Sequence, residues 1–406
     1  MRETVKQKNA ICGIIDSMTT FSRTWIEIDL TAIMANAAAI KAQTGTRLIA
    51  VIKADAYGHG AVRVAQALHE IAEMFAVATV EEGIELREAG IRKPILILFS
   101  PLPELAEAIV AYQLTPAIDN WQLAQRLNEV EQVDAVERRA VHVDINTGMN
   151  RSGVHWTEAK AFLDRLKTLK RLEIEGVFTH FATADETDNS YAYVQLERFS
   201  LLLANLVEES LSYSSTHIVH AANSAATLTI PEARFDAVRP GLSLYGIYPS
   251  TEKPMPLQPA LTWKTRVGWV GWIEAGEGVS YGLTYRAPNR TRVATLQVGY
   301  GDGYPRALSN SLSIVRREAV LRHTPSRGEV LIAGKRRPII GRICMDATLI
   351  QLEPSDDVSI GDEAVLIGKQ RDAEIGIDEV AARANTISYH ILTQISRRVA
   401  RNYKPL

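Results

Sequence analysis

From about residue 47 onward, short apolar runs rich in Val, Ile and Leu alternate with amphipathic, charged stretches. The runs are 48–53, 75–80, 95–99, 114–118, 140–145, 174–179, 217–221 and 237–239. Between them lie helix-like segments at 60–71, 81–89, 103–112, 121–132, 157–169, 194–209 and 225–230. Strand–helix alternation predicts a parallel sheet with helices packed outside it. Eight such runs match the strand count of a (β/α)8 barrel, the last two being the weakest.

After about Ser250 the texture changes. Pro254, Pro256 and Pro259 read as a linker. Runs at 263–273, 292–298, 312–316, 330–332, 339–343 and 364–367 follow, spaced by Gly, Pro and Asp, with no clear helix until 377–384. That is the pattern of a mostly β second domain, and the alternating run 24–29 is a candidate strand for it. The stretch 309–335 reads as a hairpin region. The expected organisation is an N-terminal extension over 1–22, an α/β barrel over 23–250 and a mostly β domain over 251–406.

Composition narrows the class. The chain has 406 residues, 46% hydrophobic and 23% charged, as in an ordinary globular protein of two domains. A net charge of −2 gives no pull toward nucleic acid or a membrane surface. Two distant cysteines, Cys12 and Cys344, make no disulfide scaffold and favour a reducing compartment. The apolar stretch 10–15 is too short and broken for a signal peptide or a span.

Barrel enzymes place their chemistry at the carboxyl ends of strands. The first run ends in Lys53, followed by Ala54, Asp55, Ala56, Tyr57, Gly58, His59 and Gly60. A lysine drawn out of water at such a place has a depressed pKa and makes a good imine-forming amine. By position alone it reads more readily as a lysine that snorkels past the strand end. Arg151 follows the run 140–145 in Asn146-Thr147-Gly148-Met149-Asn150-Arg151, and His180 closes the run 174–179. Asn223 and Ser224 precede a helix, where they also read as an ordinary N-cap. Arg239 closes the eighth run, before Pro240, Gly241 and Leu242. Tyr281, Tyr300, Met345 and Tyr389 lie in the second domain, the first within Gly278-Val279-Ser280-Tyr281-Gly282.

These motifs, in this order from Thr24 almost to the C-terminus, resemble those of the alanine racemase family. The resemblance implies pyridoxal 5'-phosphate carried by Lys53. Tyr57, Ser224 and the N–H groups of Gly241 and Leu242 would hold the phosphate, with Asn223 and Tyr389 beside it. His180 would lie beside the cofactor, and Arg239 would face the pyridine nitrogen. An arginine donates a hydrogen bond but takes no proton, which weakens the ring as an electron sink and suits racemisation better than transamination. Arg151 and the Met345 N–H would bind the substrate carboxylate. Tyr281 would be the base opposite Lys53, and Tyr300 would line the site. The implied activity is two-base interconversion of L- and D-alanine, supplying D-alanine for peptidoglycan, in a cytoplasmic head-to-tail homodimer with shared sites and no metal.

Racemisation of another small amino acid such as serine uses the same machinery, because a methyl-sized difference is worth only ~1–3 kcal/mol. A related decarboxylase would set a carboxylate, not Arg239, against the pyridine nitrogen. A single-barrel cofactor-carrying protein would lack the second domain. The chain departs from the family pattern at Asp144, where many members have a lysine modified to a carbamate, and at Asn146, where aspartate is common. Alternation along 140–145 turns His142 and Asp144 into the barrel. Asp144 is then expected to supply a charge that fixes Arg151, directly or through a bridging water or chloride.

Overall fold

In a computed structural model, which describes residues 22–131, 138–208, 218–310 and 328–405, the chain divides into two compact units. One unit runs from Leu30 to Ala260. The other combines the described residues before Leu30 with those from Leu261 onward. The N-terminal extension, but for Ser22, lies outside the described residues.

The apolar runs of the first unit become eight parallel strands: Arg47–Val51, Met74–Val77, Ile95–Ile97, Thr115–Ile118, Arg139–Asn146, Leu172–Phe178, Ile218–His220 and Ala237–Val238. Each pairs with the next, and Ala237↔Arg47 joins the last to the first, so the sheet closes into a barrel. Strands covered on one face by helices and on the other by the barrel interior tolerate apolar side chains at every position, which is why these runs show little alternation. The exception is Arg139–Asn146. There Val141, Val143 and Ile145 are buried, while His142 and Asp144 occupy the alternate positions. Gly176, register partner of His142, makes room for the imidazole: a Cβ there would fall 2.5 Å from the ring.

The helices cover the outside through conventional stripes. Trp121–Glu129 buries Leu123, Ala124 and Leu127 and is capped by Asn120, whose side chain accepts the Leu123 N–H at 2.9 Å. Val80–Glu88 starts with a capping box between Thr79 and Glu82. The helix Leu30–Thr44 has no counterpart in the sequence expectations. Its buried Leu30, Ile33, Ala37 and Ile40 do follow helical spacing, but a run so rich in alanine gives little contrast between its faces.

The second unit is built on Leu261–Ile273, a thirteen-residue strand with register shifts after Trp263 and Val267. It pairs with Thr24–Ile28, Thr291–Leu296 and Glu363–Gln370, and Ala400–Tyr403 adds to Thr24–Ile28 in parallel. Trp263 is fully buried, edge-on to Tyr304, with its indole N–H donated to Thr24 at 3.0 Å. One expectation needs correction. The apolar run 339–343 forms only a bridge, Ile339↔Ile350, because Gly341 at φ +71° turns the chain out of any ladder; the strand there is the preceding Lys335–Pro338. The helical stretch at 377–384 is followed by a second helix, Ser388–Gln394. The expected strand 312–316 and most of the hairpin region lie outside the described residues. Among those described, no helix is long and apolar enough to cross a membrane.

Candidate active site

Lys53 stands just beyond its strand, which ends at Val51, rather than closing it. The next four residues, Ala54, Asp55, Ala56 and Tyr57, all have φ between 52° and 54°. L-residues pay about 1–2 kcal/mol each for a left-handed helical conformation, so a run of four is strained and must be held by its surroundings. The turn closes through Gly58 N–H to the Ala54 carbonyl (3.0 Å) and Ala61 N–H to the Asp55 carboxylate (2.8 Å). Burial pushes the Lys53 amine below its ordinary pKa, and the Arg151 and Arg239 charges add to this, while Glu82 opposes it. The Phe99 ring lies 5.6 Å from the Lys53 amine and 4.8 Å from the Arg151 guanidinium.

Arg239 is buried and held on several sides. Its Nη1 donates to the His220 carbonyl (2.9 Å) and to His220 Nδ1 (2.7 Å), and its Nη2 to the carbonyls of Thr179 (2.8 Å) and Ala221 (3.0 Å). His180 Nδ1 lies 3.4 Å from Nη2. The guanidinium can only donate, so the tautomers follow. His220 Nδ1 accepts, its Nε2–H donates to His142 Nδ1 at 2.7 Å, and His142 Nε2–H donates to Glu175 at 3.2 Å. Burial and the neighbouring arginine keep both His220 and His180 well below their ordinary pKa, hence neutral. Burial brings Arg239 itself down to about 10, which leaves it charged at neutral pH. No described residue accepts from Arg239 Nε, the donor that remains.

The end of the eighth strand meets the start of the helix Ser224–Thr229. Ser224 Oγ accepts the Gly241 N–H at 2.8 Å and the Ser243 N–H at 3.4 Å. The Asn223 side chain caps this helix, accepting the Ala226 N–H at 3.0 Å. Tyr57 packs against Tyr245 with centroids 5.3 Å apart. Its hydroxyl sits so close to Gly241 that a Cβ there would lie 2.5 Å from it. Two hydroxyls and backbone N–H groups thus converge at one point of the barrel rim.

Asp144 does not pair with Arg151. Its carboxylate accepts the Ser152 hydroxyl at 2.8 Å, because a side chain this short reaches only the near edge of the loop. Asp119 takes the Gly153 N–H at 3.2 Å on the same loop. Burial raises Asp144 to about 6, Asp119 adding to the rise while Ser152, Arg239 and Arg151 resist it.

The second unit gathers its own set. Ser280 donates to the Arg342 carbonyl at 2.6 Å, and its hydroxyl lies 3.3 Å from the Cys344 thiol. Tyr300 and Gly301 donate their N–H groups to the carbonyls of Cys344 (3.0 Å) and Met345 (2.9 Å). Tyr281, Tyr300 and Met345 therefore stand on three stitched loops, and all three are exposed, Tyr281 by 72%. Tyr389 is half-buried near the start of the helix Ser388–Gln394.

Sequence reasoning missed Phe99, Glu82 and the His220–His142–Glu175 chain. His142 had a signal, its place in the barrel interior, and Glu82 had one in the Thr-x-x-Glu spacing after a strand. Phe99 had only its position past a strand end.

Fold and site together are those of an enzyme working at the carboxyl ends of barrel strands. The chain belongs to the alanine racemase family: the family's N-terminal domain model matches residues 28–249, and its C-terminal domain model matches residues 260–403. It is 45% identical to the alanine racemase of Symbiobacterium thermophilum over 94% of this chain and 97% of that one. Among solved structures it resembles the alanine racemase of Clostridium difficile 630, with a TM-score of 0.84 and 36% identity, covering 94% and 96% of the two chains. It also resembles the alanine racemase of Bartonella henselae with covalently bound pyridoxal phosphate, with a TM-score of 0.80 and 28% identity, covering 94% of this chain and all of that one.

Proposed function

We propose that this chain interconverts L- and D-alanine with pyridoxal 5'-phosphate held by Lys53. The observation that carries the reading is Arg239: a buried, charged, donor-only group at a strand end, whose Nε finds no acceptor among the described residues and whose charge helps to lower the pKa of Lys53. The residues fit the cofactor. A phosphate dianion wants hydroxyl and N–H donors, which Tyr57, Ser224 and the Leu242 N–H offer, and the cradle accepts no side chain at Gly241. Gly241's own N–H is given to Ser224, whose proton is then free to point at an anion.

When bound, the cofactor acidifies the Cα proton of an attached amino acid. Arg239 would face the ring nitrogen as a donor that cannot protonate it, a pairing that would favour proton return over transamination. Neutral His180 buttresses Arg239 without adding charge. Arg151, steadied over Phe99, takes the substrate carboxylate, assisted by the Met345 N–H. Lys53 removes or returns the proton on the face used by D-alanine, and Tyr281 on the face used by L-alanine. Tyr300 and Tyr389 narrow the approach, which suits a small side chain. The working unit is a cytoplasmic homodimer, each subunit lending Tyr281, Tyr300 and Met345 to its partner's site, and its product serves peptidoglycan synthesis.

The test is a chiral assay of the purified protein with L-alanine, L-serine and L-lysine. D-alanine should accumulate to parity with L-alanine, at least tenfold faster than any other D-product. Faster D-serine formation would make it a serine racemase, and release of carbon dioxide a decarboxylase.

A further inference from the structure

We propose that Glu82 is a positioning residue for Lys53: its carboxylate clamps the left-handed turn that presents the lysine amine. The inference rests on reading Lys53 as the cofactor lysine.

The turn's conformation needs an external hold. Ala54, Asp55 and Ala56 have φ/ψ of 52/52°, 54/47° and 53/48°, and Tyr57 follows at φ 53°, with no glycine until Gly58. Such a run survives only where neighbours over-determine it. Several backbone bonds stay inside the segment: Ala56 N–H to the Ile52 carbonyl (2.9 Å), Gly58 N–H to the Ala54 carbonyl (3.0 Å) and Gly60 N–H to the Asp55 carbonyl (2.9 Å). The Ala54 N–H, first in the turn, leaves it and donates to Glu82 Oε1 at 2.7 Å.

Glu82's other oxygen is fixed too. Oε2 accepts the N–H groups of Ala78 at 2.7 Å and Thr79 at 3.3 Å, just past the strand Met74–Val77. That strand pairs with Arg47–Val51, the strand leading to Lys53. One carboxylate thereby braces the lysine's turn against the end of the adjacent barrel strand, at both oxygens and with charge-assisted bonds.

Glu82 also acts on the amine through its charge. The groups facing Lys53 are the cations Arg151 and Arg239, His180 held neutral, the Phe99 ring, and Glu82. Burial first, and the two arginines with it, drive the amine toward its neutral form, and Glu82 is the anion that opposes them. A plain capping-box glutamate would satisfy its own helix and nothing more. The bond to Ala54 is what exceeds that role.

Hydrogen–deuterium exchange, steady-state kinetics and thermal unfolding of the holoenzyme separate the two. In Glu82→Gln one carboxamide oxygen replaces two acceptors and the charge is lost. Backbone amides of 53–60 should exchange at least tenfold faster. The kcat for alanine should fall ten- to a hundredfold with KM changed less than threefold. With D-alanine, where Lys53 is freed from the cofactor on substrate binding and takes the proton, the acid limb of kcat should move to lower pH, since the group that raises the lysine's pKa is gone. Thr79→Ala, which breaks the capping box and leaves the Glu82 carboxylate, should lower the melting temperature while exchange at 53–60 and the acid limb match wild type. If Glu82→Gln does not fold, Glu82→Asp keeps both oxygens on a shorter arm and should show the same faster exchange at 53–60. Exchange at 53–60 unchanged in the Glu82 variant, or Thr79→Ala reproducing its whole pattern, would reduce Glu82 to a helix cap. Borohydride reduction and peptide mapping keep the readings apart: a pyridoxyl label off Lys53 overturns the Lys53 assignment, whereas a label on Lys53 with unaltered exchange overturns the clamp alone.

Discussion

A buried carboxylate with a hydroxyl for a partner is costly when ionised, and Asp144 is in that position. Its pKa of about 6 in the fold exceeds the ordinary 3.8, so the folded protein binds the extra proton between those values. The penalty is therefore absent below about pH 4, grows as pH rises, and is complete above about pH 6, where the raised pKa corresponds to at most ~3 kcal/mol of lost stability. Asp144→Asn keeps an oxygen for Ser152 and removes the charge. It should be more stable than wild type by roughly 1–3 kcal/mol at pH 8, with the gap shrinking toward pH 5, in urea unfolding at both values. A gap independent of pH would show that Asp144 is ionised at no cost. Tyr281 supports a second test. In heavy water, Tyr281→Phe should still exchange the Cα hydrogen of D-alanine and scarcely that of L-alanine; the opposite preference would exchange the roles of Lys53 and Tyr281. Lys53 and Arg239 were singled out in the sequence by the motifs around them, since by position alone a lysine after an apolar run also reads as one that snorkels past the strand end. Asp144 was half legible: alternation gave its face, but its partner depended on how far a two-carbon arm reaches. Phe99 acts only through neighbours that barrel closure brings together, and for Glu82 the Thr-x-x-Glu spacing marks a helix cap but not the bond to Ala54 across to the adjacent strand's loop.

Among elements, the barrel strands were readable because double-sided burial writes an uninterrupted apolar run, whereas the turn after Val51 was not, since nothing in Ala-Asp-Ala-Tyr announces four left-handed residues. The loop after the eighth strand is equally exacting, and its sequence says so through Gly241. A methyl group there would meet the Tyr57 hydroxyl at 2.5 Å and its Cζ at 3.0 Å. The ring cannot easily yield, because Tyr57 ends the strained turn and packs on the fully buried Tyr245. Gly241→Ala should therefore weaken pyridoxal phosphate at least tenfold, read as cofactor lost on dialysis and followed by absorbance. Its melting temperature without cofactor should stay within a few degrees of wild type. Undiminished cofactor retention would mean that the Tyr57 hydroxyl is no part of the phosphate cradle.

At the scale of the whole molecule, the residues of the proposed chemistry are split between the two units of the chain. Lys53, Arg151 and Arg239 belong to the unit 30–260, and Tyr281, Tyr300 and Met345 to the other. In a single chain the latter three are exposed by 72%, 43% and 53%, yet a residue asked to take a proton from carbon needs a fixed, largely dry setting. Under the proposed homodimer a second copy supplies that cover, and two-fold symmetry makes two equivalent sites from four half-sites. Composition and hydrophobic pattern carried no trace of this, since they describe one chain; only the motif resemblance implied it. Complementation decides it. Lys53→Ala and Tyr281→Phe chains, each inactive alone, are co-expressed in equal amounts under separate tags. Random pairing makes about half of the dimers mixed, and in each mixed dimer one site inherits both lesions while the other inherits none. Total activity should rise to about a quarter of wild type, and dimers purified through both tags should reach about half. Tandem-purified mixed dimers as inactive as their parents would mean that each chain's Lys53 works with its own Tyr281.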